Sequence, residues 1–596
     1  MVEKSAADYI EDYAVNATDS AISCWFTHNQ TIRRMVMKHL KSIALTYKGL
    51  MCLYVAMGLA AAFLQSFGAR YFQKVIDSFT ANTLTFATIA VYGGAIIAVY
   101  IICYLQNYPE RKLEHGIELS LKTRALQKTS VIDYSSYIKM GTGALIQRIE
   151  NGAAAGTSIL FGFYLRLAGE LLPAMLFSVG FIFAINRTVM AAILLGYMVV
   201  FIITNILLRA LYKVKAHILI NEEKFNHFLV RGLMEMVVFR LHRRFAAEIQ
   251  KAEAASREII GSKVKMKLIH EAFFTIFVII VGILKIGILL YGWLTKALTI
   301  GEIVALLALV ENAYLPIAIF NVCYVQYKLD GVAFARYTAF LDAKEDARLT
   351  QGKAIPAIKG CITFSEVSFC YNERTILDGF CLDIEPGTST AFVGESGSGK
   401  STAAKLLAGL LQPHAGHIKA DGFDLSDISL HSYYGHIAYL PQEPSVFNGT
   451  LRENLVFDEA VDDEALLKAI RQTGLANLYT KLADGLDTPL GERGISLSGG
   501  ERQQLALARL WFTNANLVIL DEATSAIDNL TEEAVMANVL THLTSKTVLA
   551  IAHRLDSVRA FDRIVVFQNG RIVEQGGFDE LLGRHQNFHE LYYRTE

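Results

Sequence analysis

The chain has 596 residues, 53 % of them hydrophobic and 19 % charged, with a mean hydropathy of +0.33. That balance excludes a disordered chain, argues against a wholly water-soluble one, and at this length calls for several domains. The formal net charge of −1, from 56 Lys+Arg against 57 Asp+Glu, gives no electrostatic basis for a nucleic-acid partner.

Residues 1–49 read as an N-terminal segment. Its first twenty residues, MVEKSAADYIEDYAVNATDS, lack the basic start and apolar core of a cleaved signal peptide. Thr31–Tyr47 interleaves Arg33, Arg34, Lys38 and Lys41 with Ile32, Met35, Met37 and Leu40, the pattern of an amphipathic helix on a membrane face. Six apolar segments follow within residues 50–341: Leu50–Phe67, Phe86–Leu105, Ile159–Phe183, Val189–Leu208, Phe273–Leu294 and Ile303–Tyr324. Each is near the roughly 20 helical residues that a bilayer core requires. Basic residues concentrate in two long connections, after the second span and after the fourth. By the positive-inside rule these loops and both termini are cytoplasmic. Leu211–Ile260 has one Gly and no Pro, so the long loops read as helical extensions of the spans.

Four charges interrupt the spans. Lys285 is near the centre of the fifth and Glu311 near the centre of the sixth, while Arg166 and Glu170 are an i,i+4 pair in the third. Each costs about 2.5–3.5 kcal/mol at mid-membrane on insertion scales, so each needs a partner or water. Lys285 is 9 residues before Leu294 and Glu311 is 8 after Ile303, so the two are expected at one depth, facing each other or a shared cavity. Substrate binding and simple pairing both fit these four residues.

Asp342–Lys359 is polar, carries Gly352 and Pro356, and reads as a linker over residues 342–359. From 360 to 596 the runs ITFSEVSF, STAFVG, HIAYLP, LVILDE, TVLAIAH and RIVVF alternate with helical patterns. That alternation predicts an α/β domain with a mainly parallel sheet. The seven cysteines include no C-x-x-C pair, so reduced thiols are expected rather than a disulfide framework or a zinc site.

Gly394-Glu395-Ser396-Gly397-Ser398-Gly399-Lys400-Ser401, followed by Thr402, fits G-x-x-x-x-G-K-[ST] between a strand and a helical pattern. Such a loop closes backbone N–H groups around phosphate oxygens, and the helix start adds positive potential. Lys400 suits the β- and γ-phosphates and Ser401 suits Mg²⁺. The apolar run Leu517–Leu520 ends in Asp521, suited to Mg²⁺, and Glu522, suited to the general base that polarises attacking water.

Leu497-Ser498-Gly499-Gly500-Glu501, followed by RQQLALARL, resembles the signature of ATP-binding-cassette proteins. The resemblance implies that this pentapeptide faces the γ-phosphate held by an opposite cassette. It further implies that Tyr371 stacks on adenine, that Gln442 contacts Mg²⁺ and senses the membrane domain, and that Asp528 belongs to the loop crossing the dimer interface. His553 matches the switch histidine at the γ-phosphate. Gly491-Glu492-Arg493-Gly494 and Thr142-Gly143-Ala144-Leu145-Ile146-Gln147-Arg148 are similar to stretches of exporter-type half-transporters.

The fold so implied is an α-helical transmembrane domain of six spans fused to an α/β P-loop nucleotide-binding domain. The implied cofactors are ATP and Mg²⁺, and the implied activity is ATP hydrolysis driving translocation through a lipid bilayer. The implied partner is a second half-transporter, an identical chain being favoured over a similar one. Export is the expected direction. Uptake of metal–siderophore complexes on the same fold, or an ATP-gated channel or regulator, are the alternatives. A bacterial cytoplasmic membrane is the expected location, and the substrate is not legible.

Overall fold

The computed structural model describes residues 38–372, 374–457, 460–491, 497–552 and 554–595. Two compact units make up the chain, one of residues 1–130 and 140–343, the other of residues 131–139 and 344–596.

Among its described residues the first unit is built of helices, because backbone polar groups in hydrocarbon must be satisfied within their own segment. Its helices are α1 (Lys48–Thr80), α2 (Phe86–Thr129), α3 (Thr142–Thr157), α4 (Leu172–Ile185), α5 (Arg187–Met234), α6 (Phe245–Thr295) and α7 (Ile300–Leu341). Two π-helical stretches, Ser158–Leu165 and Leu167–Leu171, join α3 to α4, so the third span is one helical rod over Leu145–Ile185. Among the described residues five helices are long and apolar enough to cross a bilayer, and the fourth expected span is the apolar head of α5, Arg187–Ile203. At 44, 48 and 51 residues, α2, α5 and α6 run far past the roughly 20 residues a bilayer holds. The long loops are thus helix, as the sequence predicts.

Small residues let these rods approach closely. A Cβ on Gly152 would stand 2.2 Å from Tyr337 Cβ, and one on Gly156 2.6 Å from Phe334 and Leu121 side chains. Tyr337 closes the contact by donating to the Leu121 carbonyl at 2.7 Å. On the α5–α7 side, Tyr314 is fully buried among Ile193, Phe277 and Leu309 and donates to the Ile193 carbonyl at 2.7 Å.

The helix expected on the membrane face is described only from Lys38 onward. Residues 38–46 are helical, but Leu40 and Ile43 are buried within this unit. Arg124 of α2 donates to the His39 carbonyl and to Ser42 Oγ, and His39 Nε2 lies 3.2 Å from Asp342 at the end of α7. Leu40 therefore packs on protein, while Ile32, Met35 and Met37 of the same stripe lie outside the described residues. Residues 1–37, including Arg33, Arg34 and Cys24, lie outside the described residues; the other six cysteines are free.

The second unit holds two sheets. The six-stranded sheet has the order β10-β9-β3-β8-β7-β6, with β3 (Ser389–Gly394), β6 (Ile437–Leu440), β7 (Leu517–Asp521), β8 (Thr547–Ile551) and β9 (Arg563–Gln568) parallel and β10 (Arg571–Gly576) antiparallel. Every residue of β7 and β8 is buried, as continuous apolar runs between helical layers require. A second sheet of β1 (Ile362–Tyr371), β2 (Arg374–Ile384), β4 (Ala415–Ala420) and β5 (Phe423–Asp424) is antiparallel, in the order β2-β1-β4-β5. The sequence reading of one mainly parallel sheet missed it.

The segment read as a linker is also tied down. Ile355 and Ile358 enter the core of this unit, and Asp346 and Arg348 form a buried pair at 2.7 Å. Its polar residues conceal two apolar anchors. Val131–Lys139 belongs to the same unit, with Asp133 N–H donating to the Lys344 carbonyl.

Asp77 of α1 caps α7 from outside its own chain segment, accepting from Gly301 N–H and the Thr299 hydroxyl, both at 3.1 Å. Asp77→Ala is expected to destabilise the protein by about 1 kcal/mol, a typical cap loss. Asp77→Asn, which keeps an acceptor, should recover part of it. Thermal unfolding of the purified protein checks both.

Candidate active site

The carboxyl ends of parallel strands form the crevice where open α/β sheets hold ligands. Here β3, β7 and β6 deliver the phosphate loop, Asp521–Glu522 and Gln442 to one edge. Gly394 closes β3 with φ +139, and a Cβ there would lie 2.3 Å from the Phe567 carbonyl of β9. Glu395, Ser396 and Gly397 are exposed at the loop top, and at Gly397 (φ +81) nothing lies within 4 Å of a Cβ position. The loop backbone is thus open to a ligand. Gly399, with φ +109, turns the chain into α8 (Lys400–Leu407), in which Thr402 is buried.

Lys400 is only 4 % exposed, and its ammonium donates to the Gly394 and Glu395 carbonyls at 2.7 and 2.9 Å. Burial pushes this ammonium below the usual lysine range, while the Glu522 and Asp521 charges pull it back. Asp521 is 3 % exposed. Burial raises its carboxyl above the ordinary range, opposed by the Ser401 and Tyr439 hydroxyls. Tyr439 donates to Asp521 Oδ2 at 3.1 Å, whereas Oδ1 is buried without a hydrogen bond. Burial first, and the Asp521 charge second, hold the Tyr439 phenol above its ordinary value, so it stays a donor.

Glu522 sits in the left-handed region at φ +52, a conformation rare for a glutamate. Gln442 Nε2 donates to Glu522 Oε2 at 2.5 Å, joining two residues that the sequence places 80 positions apart. Tyr371 is 45 % exposed at the end of β1, edge-on to Phe369 at 4.9 Å, with a face available for stacking. His553 lies outside the described residues, as do Glu492, Arg493 and Gly494.

The glycine-bearing segment Leu497–Glu501 starts α9 (Gly499–Ala508). Ser498 Oγ accepts from Glu501 N–H at 3.2 Å while Glu501 Oε2 accepts from Ser498 N–H at 2.7 Å, a closed capping box. A Cβ on Gly500 would stand 2.9 Å from the Ala526 carbonyl, so the segment rests directly on the Ser525–Asp528 loop. Asp528 caps α10 (Asn529–His542), and the Thr531 N–H it accepts holds its carboxyl below the ordinary range.

Sequence reasoning missed Gln503, which is buried in α9. Its amide donates to Ser525 Oγ at 3.0 Å and to the Glu522 carbonyl at 3.3 Å, and accepts from Ala526 N–H at 2.7 Å. It also missed Arg554, which donates to the Ile527 carbonyl and to buried Glu532 at 2.7 and 2.5 Å. Neither residue has chemistry of its own to betray it.

In the first unit Lys285 Nζ lies 2.9 Å from Glu311 Oε2, so the two charges meet. Arg166 Nε lies 3.2 Å from Glu170 Oε2, and Tyr54 donates to the other Glu170 oxygen.

Known proteins resemble this chain in sequence and fold. A family profile described as "ABC transporter" matches residues 377–525. The ATP-dependent lipid A-core flippase of Chromobacterium violaceum is 37 % identical over 50 % of this chain and 52 % of its own length. The mycobactin import ATP-binding/permease protein IrtB of Mycolicibacterium thermoresistibile is 35 % identical over 51 % of this chain and 53 % of its own. The chain thus spans about half the length of these curated relatives. A bacterial Atm1-family ABC exporter solved with ATP bound shares the fold, with a TM-score of 0.79 and 24 % identity, over 93 % of this chain and 99 % of that one.

If Lys285 and Glu311 serve to neutralise each other, Lys285→Met and Glu311→Gln should each lower folded yield and thermal midpoint, and the double variant should recover. Thermal unfolding across that cycle checks the coupling.

Proposed function

We propose that this chain, an exporter-type ABC half-transporter by fold and cassette, is an ATP-driven transmembrane transporter. The observation that carries the reading is the meeting of Lys400, Asp521, Gln442 and Glu522 at the carboxyl ends of β3, β6 and β7. Lys400 and the open phosphate-loop backbone, Gly394 to Thr402, suit the triphosphate, and Tyr371 suits the adenine. The site also fits Mg²⁺: Asp521 Oδ1 is a buried acceptor without a hydrogen bond, and Ser401 and Gln442 supply neutral oxygens. When bound, the cation neutralises phosphate charge. Glu522 accepts the proton of the attacking water. Its bond to Gln442 restrains that carboxylate until nucleotide draws the glutamine away. His553 suits the γ-phosphate.

The working unit is a dimer, homodimer favoured, in which Leu497–Glu501 and Asp528 act on the partner's nucleotide. Every sequence element of a complete site occurs within these 596 residues. An exposed apolar tip where α5 turns toward α6, including Leu233, Met234, Val237 and Leu241, supports a covering partner. Both termini and the long helical extensions are placed in the cytoplasm by their basic residues, and a bacterial cytoplasmic membrane suits the relatives. Lys285, Glu311, Arg166 and Glu170 are the candidate contacts for substrate. Export is the favoured direction. Uptake is the second reading, because one relative is described as a mycobactin importer.

Glu522→Gln keeps size and hydrogen bonding but cannot take a proton. It is expected to bind ATP, to lose nearly all turnover and to accumulate with cassettes closed. Steady-state hydrolysis and nucleotide trapping check this. The chain expressed alone should run as a dimer and hydrolyse ATP, measured by mass and phosphate release. Substrate-stimulated ATPase activity and flux in inside-out vesicles, across a compound panel, decide substrate and direction.

A further inference from the structure

We propose that Tyr439 is a positioning residue for the cation: its hydroxyl ties one oxygen of Asp521 and leaves the other as the metal's acceptor. This rests on the reading that Asp521 helps hold Mg²⁺ with ATP. The bond is Tyr439 Oη to Asp521 Oδ2, 3.1 Å. The remaining oxygen, Oδ1, is buried and has no hydrogen bond, and the Ser401 hydroxyl is the other hydroxyl acting on this carboxylate. A carboxylate with one oxygen tied and one free presents a single, fixed ligand. An untied one can rotate or chelate through both oxygens.

Three features make the tie rigid. Tyr439 is on β6, in parallel register opposite Ile519 of β7, two residues before Asp521. Its ring packs against the core cluster that includes Ile519, Ile551 and Phe392. Tyr134, from the short helix Tyr134–Met140 of the same unit, packs against that cluster too. The phenol therefore has little freedom to leave the carboxylate. Partners that orient a metal-ligating side chain typically contribute 10–100-fold to metal affinity.

The test uses the full chain in lipid nanodiscs, Mn²⁺ as probe and a non-hydrolysable ATP analogue. Mn²⁺ binding is read by electron paramagnetic resonance. Tyr439→Phe keeps the ring and removes the donor. It is expected to weaken Mn²⁺ binding about 10-fold or more, to leave binding of the analogue in EDTA unchanged, and to raise the Mg²⁺ concentration for half-maximal ATPase activity. Tyr439→Leu should weaken Mn²⁺ binding at least as much. Wild-type Mn²⁺ affinity in Tyr439→Phe overturns the proposal and leaves the ATPase reading intact. An equal loss of metal-free nucleotide binding overturns it too, because the tyrosine would then only support the fold. A wild-type chain that binds no Mn²⁺ with nucleotide overturns both readings.

Discussion

A buried ammonium and a buried carboxylate share the carboxyl edge of one parallel sheet, and the cassette is arranged around keeping them there. Lys400 and Asp521 are 4 % and 3 % exposed. Desolvating either charge costs several kcal/mol unless dipoles replace water. For Lys400 those dipoles are the carbonyls of its own loop. For Asp521 they are hydroxyls at the ends of neighbouring elements. A loop that already orients carbonyls around an ammonium exchanges them for phosphate oxygens with little rearrangement. Such a site is organised before its ligand arrives.

One amide extends that organisation to the rest of the unit. Gln503 lies in the helix begun by Ser498–Glu501, yet bonds the Glu522 carbonyl and the Ser525–Ala526 backbone and side chain. Glu522, the Ser525–Asp528 loop and the glycine-bearing helix start are therefore one hydrogen-bonded body. Gln442, exposed and bonded to Glu522 by a single contact, is the member most easily exchanged.

The sequence made some of this legible for physical reasons. Hydrocarbon thickness is fixed, so span length shows directly in apolar runs; α5 and α6 run on through a segment with one Gly and no Pro, while α2 continues past its span through Pro109. The phosphate loop is legible because glycine and lysine occur at a spacing that few other structures need. Other features left no trace. Period-two alternation does not reveal strand direction, so the antiparallel sheet of β1, β2, β4 and β5 was hidden. In the mostly apolar Ser158–Leu165, a π turn and an α turn bury the same kinds of residue. Ile355 and Ile358 were diluted by the polar residues around them.

The two intramembrane ion pairs differ in what they can stabilise. Arg166 and Glu170 are on one helical rod, so they neutralise each other as soon as that rod forms. Tyr54 of α1 then adds a hydrogen bond to a pair already made, which specifies packing more than insertion. Lys285 and Glu311 are on different rods, α6 and α7, joined by the short turn between Thr295 and Ile300. Their charges are compensated only after the two rods pack antiparallel at the correct depth. A shift of one helical turn, roughly 5.4 Å, separates them and restores the insertion cost of both. The first pair is thus complete within one helix, whereas the second exists only once two helices are packed side by side.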